Sequence, residues 1–352
     1  MLAPFPTGPI PTTARQPFAM TDYQAFRIHG AAAGHRAGVE RLPLPVPAAG
    51  EVLIRVAWSG INFKDALAGT GKGKILKTFP LVGGIDAAGH VERSASPGFR
   101  EGDAVLVTGF GLSFDHDGGF AEYLCCPADW VVPIPPGLDP RSAMILGTAG
   151  FTASLALHRM LVNGQRPGLG PILVTGASGG VGAIAVNLFN HLGFEVAAVS
   201  GKTELHDWLR SLGANRVLGR NELPGDRRPL ERPVWGGAVD NVGGEMLAQI
   251  TRTVATWGNI ASIGLAGGHE LHTTVMPFIL RGVSLLGIHS VEVPQPLRGD
   301  LWAHLASDWH PPQIEAIHSA TVGLDGLAGV FEQMLSGQSH GRVLVRLGGA
   351  SG

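Results

Sequence analysis

The stretch Thr175-Gly176-Ala177-Ser178-Gly179-Gly180-Val181-Gly182 decides how this chain is read. It follows Ile172-Leu173-Val174, a near-continuous apolar run of the kind found in strands covered on both faces. It opens a helical pattern from Val181 to Leu192, which Gly193 ends. A glycine-rich turn between strand and helix is the setting in which a backbone cradles a pyrophosphate. Gly176 and Gly179 allow a tight turn and close approach to phosphate, and Gly182 lets the helix lie against the strand. The unpaired N–H groups at the helix start, with the helix dipole, favour an anion there.

Outward from that turn, strands and helices alternate. Glu195 to Val199 reads as a second strand, Thr203 to Leu212 as a helix stopped by Gly213, and Arg216-Val217-Leu218 as a third strand. Ala238 to Val242, Asn259 to Ile263 and Val283 to Ile288 complete six strands, with a helix from Glu245 to Val254 among them. Six βα units predict an α/β fold with a doubly wound six-stranded parallel sheet, of the Rossmann type.

Upstream the pattern differs. Gln24 to Ile28, Glu51 to Val56, Ala104 to Val107, Phe120 to Leu124 and Trp130 to Ile134 read as short strands between Gly/Pro turns, a small barrel or sandwich. Helical spacing begins near Ser142 and runs to Met160. After the sixth strand come candidate helices at Leu301 to Trp309 and Leu327 to Met334. A last strand, Gly341 to Leu347, has no βα unit to join and is expected to return to the first domain. The predicted organisation is a mostly-β domain from 20–145 and 291–352, and a nucleotide domain from 146–290. The proline-rich stretch 1–19 is expected to be a disordered extension.

Hydrophobic residues make up 45% of the 352 and charged residues 15%, enough apolar material for two cores. The net charge of −2 and the lack of a Lys/Arg block argue against nucleic-acid or membrane-surface binding. Neither a signal-peptide pattern nor an apolar run of about 20 residues is visible. The two cysteines, Cys125 and Cys126, are adjacent and suit a reduced, cytoplasmic setting.

Cofactor selection is legible at the end of the second strand. An NAD site places Asp or Glu there, to bond the ribose 2′-OH. This chain has Ser200-Gly201-Lys202, with Arg220 just past the third strand. The missing acid and the two cations point to the 2′-phosphate of NADPH.

The order of β domain, nucleotide domain and C-terminal return resembles the medium-chain dehydrogenase/reductase superfamily, from Met20 to Leu347. One adjacent Cys pair cannot supply the zinc ligands of its alcohol dehydrogenases, so no metal is expected. Asn62-Phe63-Lys64-Asp65-Ala66-Leu67, Gly71-Lys72-Gly73-Lys74-Ile75 and Gly84-Ile85-Asp86 resemble the acrylyl-CoA reductase branch, in which the mostly-β domain is GroES-like. So do Gly147 to Ala153, Gly264 to Gly268 and, most distinctively, Thr274-Val275-Met276-Pro277-Phe278-Ile279-Leu280-Arg281.

The resemblance implies NADPH-dependent reduction of the C=C bond of a small acyl-CoA substrate, by a homodimer. It implies cofactor contacts at Asn62, Thr148, Ser178, Gly179, Gly180, Val181, Gly182, Ser200, Gly201, Lys202, Arg220, Leu265, Ile288 and Arg342. Asn62, Asp65 and Asp86 are the candidate catalytic groups: an amide that donates a hydrogen bond or orients the nicotinamide, and two carboxylates that organise the site or relay a proton. Asp86 has a simpler reading as a turn carboxylate bonding local backbone, and Asp65 one as the partner of Lys64. The family's usual Tyr is Phe63 here, which has no proton to give and leaves water as the donor. An NADPH:quinone reductase and a silent NADPH-binding protein are the other readings.

Overall fold

The computed structural model describes residues 22–30, 34–223, 225 and 228–348. The stretch 1–19, read above as disordered, lies outside them.

The chain begins with β1 (Asp22–His29), β2 (Arg36–Pro43), β3 (Glu51–Gly60), α1 (Phe63–Thr70), β4 (Leu81–Val82), β5 (Asp86–Ser94), β6 (Ala104–Thr108), β7 (Tyr123–Pro127) and β8 (Val132–Pro133). A long helix, α2 (Pro140–Val162), leads into β9 (Ile172–Val174), α3 (Gly180–His191), β10 (Val196–Val199), α4 (His206–Ser211), β11 (Arg216–Leu218), β12 (Trp235–Asp240), α5 (Gly244–Thr253), β13 (Val254–Ser262), α6 (Met276–Arg281) and β14 (Ser284–Gly287). The end comprises α7 (Gln295–Leu305), α8 (Ile314–Ile317), β15 (His318–Val322), α9 (Leu327–Leu335) and β16 (Arg342–Arg346).

β9 to β14 form one parallel sheet in the order β11-β10-β9-β12-β13-β14. The order reverses between β9 and β12, so the crevice at their carboxyl ends is where a ligand is expected. The glycine turn leaves β9 at that point. The remaining strands make a seven-stranded sheet and a three-stranded one around a separate apolar core. β16 returns as expected and pairs antiparallel with β3, Leu344 opposite Gly60 and Val345 opposite Ser59.

Three expectations shift. The strand read from Phe120 begins at Tyr123; before it the chain bridges to β1 and to residues 82–84 instead, the Phe120 N–H donating to the Gly83 carbonyl and its carbonyl accepting from the Phe26 N–H, both at 2.8 Å. A Cβ on Gly118 would lie 2.2 Å from the Gly84 carbonyl oxygen, and one on Gly119 2.0 Å from that of Asp86. Trp130 ends a 3₁₀ turn, not a strand, and stacks on Phe110 with ring centroids 5.4 Å apart. α7 starts at Gln295, six residues before the expected start, because Pro296 fits the first helical turn where no N–H is needed. α2 is long and apolar enough to cross a membrane, but 72% of its apolar window is buried inside the protein, as in a core helix.

Candidate active site

α1 begins where β3 ends, and the residue at that junction is Asn62. Its side chain is held on three sides. Nδ2 donates to Asp86 Oδ2 at 2.9 Å and to the Gly60 carbonyl at 3.3 Å, and Oδ1 accepts from Arg342 at 2.9 Å. Asp86 also accepts from the Thr148 backbone N–H, from the Thr148 hydroxyl at 2.5 Å and from Arg342 at 3.4 Å. Asp86 is wholly buried and Arg342 is 2% exposed. The guanidinium donates in addition to the carbonyls of Ile61, Ile145 and Met144.

Two glycines make room for this pair. A Cβ on Gly60 would sit 2.2 Å from the Arg342 guanidinium, and one on Gly147 2.5 Å from Asp86 Oδ2. Gly147 has φ 48°, and α2 kinks there. The kink turns the Thr148 N–H toward Asp86, which a straight helix would commit to its own ladder.

Asp65 stands behind the cluster, also buried. Its carboxyl accepts from the N–H of Asn62 at 2.8 Å and of Ile85 at 3.1 Å. Burial, then the neighbouring Asp86, pushes its pKa up to about 7. Burial pulls that of Arg342 down. Both carboxylates are buried, Asp65 against the Asn62 N–H and Asp86 against the Asn62 amide and Thr148. The local-turn reading of Asp86 fails, because its partners lie 24, 62 and 256 residues away. The Lys64–Asp65 pair is also absent: Lys64 Nζ lies over the Phe114 ring, 5.3 Å from its centroid. Phe63 is half exposed beside Asn62.

The glycine turn adjoins this cluster. A Cβ on Gly180 would meet Arg342 Cδ at 3.0 Å, and the Gly341 N–H donates to the Ser178 carbonyl at 2.9 Å. Gly176 is left-handed at φ 57°, and a Cβ on Gly182 would lie 2.3 Å from the Gly176 carbonyl oxygen. α3 therefore starts against the turn, and no side chain caps its first N–H groups. Across the crevice, Asn241 donates to the Thr175 carbonyl at 2.8 Å, while its Oδ1 is a buried acceptor without a partner. Open N–H groups, a backbone path that admits only glycine and an orphaned acceptor at the switch point together fit a dinucleotide.

Ser200 follows β10 directly, its hydroxyl donating to Ser178 Oγ at 3.2 Å. Arg220 covers Gly201: a Cβ there would be 2.9 Å from Arg220 Nε. Burial and Arg220 together hold the Lys202 ammonium pKa below its ordinary value. Leu265 and Ile288 follow β13 and β14 on the same carboxyl edge, Leu265 exposed and Ile288 half-buried.

Sequence reading missed Arg298. It is wholly buried without a carboxylate partner, its guanidinium 4.3 Å from the centroid of Phe110 and 4.7 Å from that of Phe151. It donates to the carbonyls of Thr108, Ser290 and Val291, joining β6 to the segment that leaves β14. In sequence Arg298 is a lone cation ahead of the helix expected from Leu301, and nothing near it signals burial. Among the described residues no group of three or more His, Cys, Asp or Glu side chains is placed to hold a metal ion.

A Rossmann crevice facing a mostly-β lobe, with a polar cluster at the junction, defines a dinucleotide-dependent oxidoreductase. Residues 48–136 match the family model of the alcohol dehydrogenase GroES-like domain, and residues 180–307 that of the zinc-binding dehydrogenases. The acrylyl-CoA reductase AcuI of Ruegeria pomeroyi is 45% identical over 312 residues, 88% of this chain and 94% of that one. Escherichia coli K-12 YhdH with bound NADPH is 45% identical, covers 92% of this chain and all of its own, and superposes with a TM-score of 0.88. Bacillus subtilis YhfP with NAD bound is 44% identical, covers 93% of this chain and all of its own, and reaches 0.90. The chain belongs to the medium-chain dehydrogenase/reductase superfamily, in its acrylyl-CoA reductase branch.

Proposed function

We propose that this protein reduces the C=C bond of a small α,β-unsaturated acyl-CoA, acrylyl-CoA to propionyl-CoA, with NADPH. The observation that carries the reading is the contact between the Asn62 cluster and the glycine turn, in a chain 45% identical to an acrylyl-CoA reductase over most of its length. In this reading 20–145 with 291–352 is the mostly-β body and 146–290 the nucleotide body, with Leu301, Trp302, Leu305, Ile314 and Ile317 of the first packed into the core of the second.

The chemistry supplied with the cofactor bound is hydride transfer to the β carbon of the thioester. Ser178 to Gly182 hold the pyrophosphate on backbone N–H groups. Ser200, Lys202 and Arg220 hold the 2′-phosphate, and Leu265 and Ile288 line the nicotinamide end. Both Nδ2 protons of Asn62 already have acceptors and Oδ1 accepts from Arg342, so the amide is fixed in one orientation and only the second lone pair of Oδ1 is left to accept from the nicotinamide carboxamide. Arg342 serves the cofactor through Asn62 and the turn, since its guanidinium is spent inside the protein. Thr148 is held by Asp86, and its carbonyl accepts from the Thr152 hydroxyl at 2.6 Å. Phe63 gives no proton, so solvent protonates the α carbon.

Purified protein with NADPH and acrylyl-CoA is expected to consume the reduced nicotinamide, with one solvent deuteron appearing at the α carbon in heavy water. Turnover with a quinone and none with acrylyl-CoA would establish the quinone reductase reading instead. NADPH binding without turnover on either would establish a silent binding protein.

The protein works as a homodimer in the cytoplasm. β14 is the outer strand of the parallel sheet, and Trp257, Val275, Ile279 and Leu280 are each at least 59% exposed. An open strand edge and an apolar patch of this kind serve pairing with a second copy. Leu280→Glu combined with Leu285→Lys is expected to give monomers in sedimentation velocity. A dimer that survives both would place the interface elsewhere. Cys125 and Cys126 carry no disulfide, and burial pushes the pKa of Cys125 up to about 12, keeping it a thiol.

A further inference from the structure

The segment before β16 comes from the mostly-β body, yet it lies against the nucleotide body at the exit of β10. The Ser339 carbonyl accepts from the Lys202 ammonium, and the Gly341 N–H donates to the Ser178 carbonyl at 2.9 Å. Between these anchors is His340. Its ring meets the Trp208 ring edge-on, with centroids 5.4 Å apart, and Trp208 is itself fixed by Nε1 donating to the Ala316 carbonyl at 2.9 Å. A Cβ on Gly341 would strike the Ile317 carbonyl oxygen at 2.2 Å, so only glycine lets the chain pass this close to α8. His340 is thereby set beside Lys202, on the side where Ser200 and Arg220 also converge.

We propose that His340 is the third cationic group of the 2′-phosphate site and takes up a proton when NADP(H) binds. The inference rests on the reading of Ser200, Lys202 and Arg220 as that site. Without the ligand, burial and the Lys202 charge hold the His340 pKa below its ordinary value, against a smaller opposing pull from Glu204. Other ionisable groups nearby are Arg220, over Gly201, and two on α4. There His206 Nε2 bonds the Ser200 carbonyl at 3.2 Å, and Asp207 is paired with Arg210 at 2.6 Å. A phosphate carrying nearly two negative charges reverses the balance among three clustered cations and raises the His340 pKa. The sign follows: binding strengthens as pH falls through the raised, ligand-bound pKa and levels off below the depressed, ligand-free one. NAD(H), with a hydroxyl in place of the phosphate, gains nothing.

The test is calorimetric titration of the cofactor-free protein with NADP⁺ and with NAD⁺, in two buffers of different ionisation enthalpy. The window is about pH 8.5 to about pH 6.5, above the second ionisation of the phosphate near 6. NADP⁺ affinity is expected to rise on the order of five-fold across the window, with net proton uptake, and NAD⁺ affinity to stay level. His340→Gln keeps a donor that does not titrate, and should abolish both the slope and the proton uptake. An unchanged slope and uptake in His340→Gln would overturn the inference while leaving the phosphate site standing. Lys202→Ala tests the site itself: an unaltered ratio of NADP⁺ to NAD⁺ affinity would overturn the site reading, and the inference with it.

Discussion

Asp86→Ala is expected to destabilise the protein by about 3–5 kcal/mol, because it leaves a buried guanidinium without its counter-ion. Arg342 is 2% exposed and cannot turn to water. The substitution also orphans the Thr148 N–H and hydroxyl and one donation from Asn62. Each unpaired buried donor adds a cost of about 1–3 kcal/mol unless water enters the space. Thermal denaturation should show a lower midpoint. Protein that remains folded should lose kcat more than NADPH affinity, since the phosphate-binding turn is untouched while Asn62 is released. Asp86→Asn separates charge from shape: the side chain fits, but its NH2 faces donors. A variant as stable as the parent would show that the cluster is not the keystone described here.

Gly182→Ala is the second large effect, and it falls on cofactor affinity. The added methyl would lie 2.3 Å from the Gly176 carbonyl oxygen and 2.7 Å from Ala177 Cα. Both are backbone atoms of the turn, so no rotamer change relieves the clash. α3 must move away from β9, and its N–H groups leave the positions that receive phosphate. NADPH binding is expected to weaken ten-fold or more, at least about 1.4 kcal/mol, in a fluorescence titration. Gly168→Ala is the control: nothing lies within 4 Å of its added Cβ, it stands outside the turn, and it should leave NADPH affinity unchanged. Equal losses in the two variants would mean that the clash is not what sets the turn.

The nucleotide body was legible because its signals are local. Ile172 to Val174 reads as a buried strand, the glycines stand where the backbone needs them, and the absence of an acid at Ser200 is visible in one dimension. The boundaries that moved did so for contacts that local sequence does not record. Phe120 stands outside the β3–β7 ladder because its backbone bonds go to Phe26 and Gly83, far off in sequence. α7 starts six residues early and ends four early, because Pro296 sits at a helix start.

At the junction of the two bodies the division is sharper. The sequence by itself determined the βα order, the phosphate turn, the lean toward a 2′-phosphate and the identity of Asn62, Asp65 and Asp86 as residues of interest. Only the tertiary structure decided what they touch. The Asn62–Arg342 bond spans 280 residues, and it exists because β16 pairs with β3 and the Gly147 kink brings Thr148 onto Asp86. A buried charge acquires its meaning from its partners, and strand pairing chooses those partners at distances where sequence pattern carries no register. The same holds at the phosphate turn. Its glycines are set by local backbone geometry, but the strap that carries His340 to Lys202 arrives from the far end of the chain.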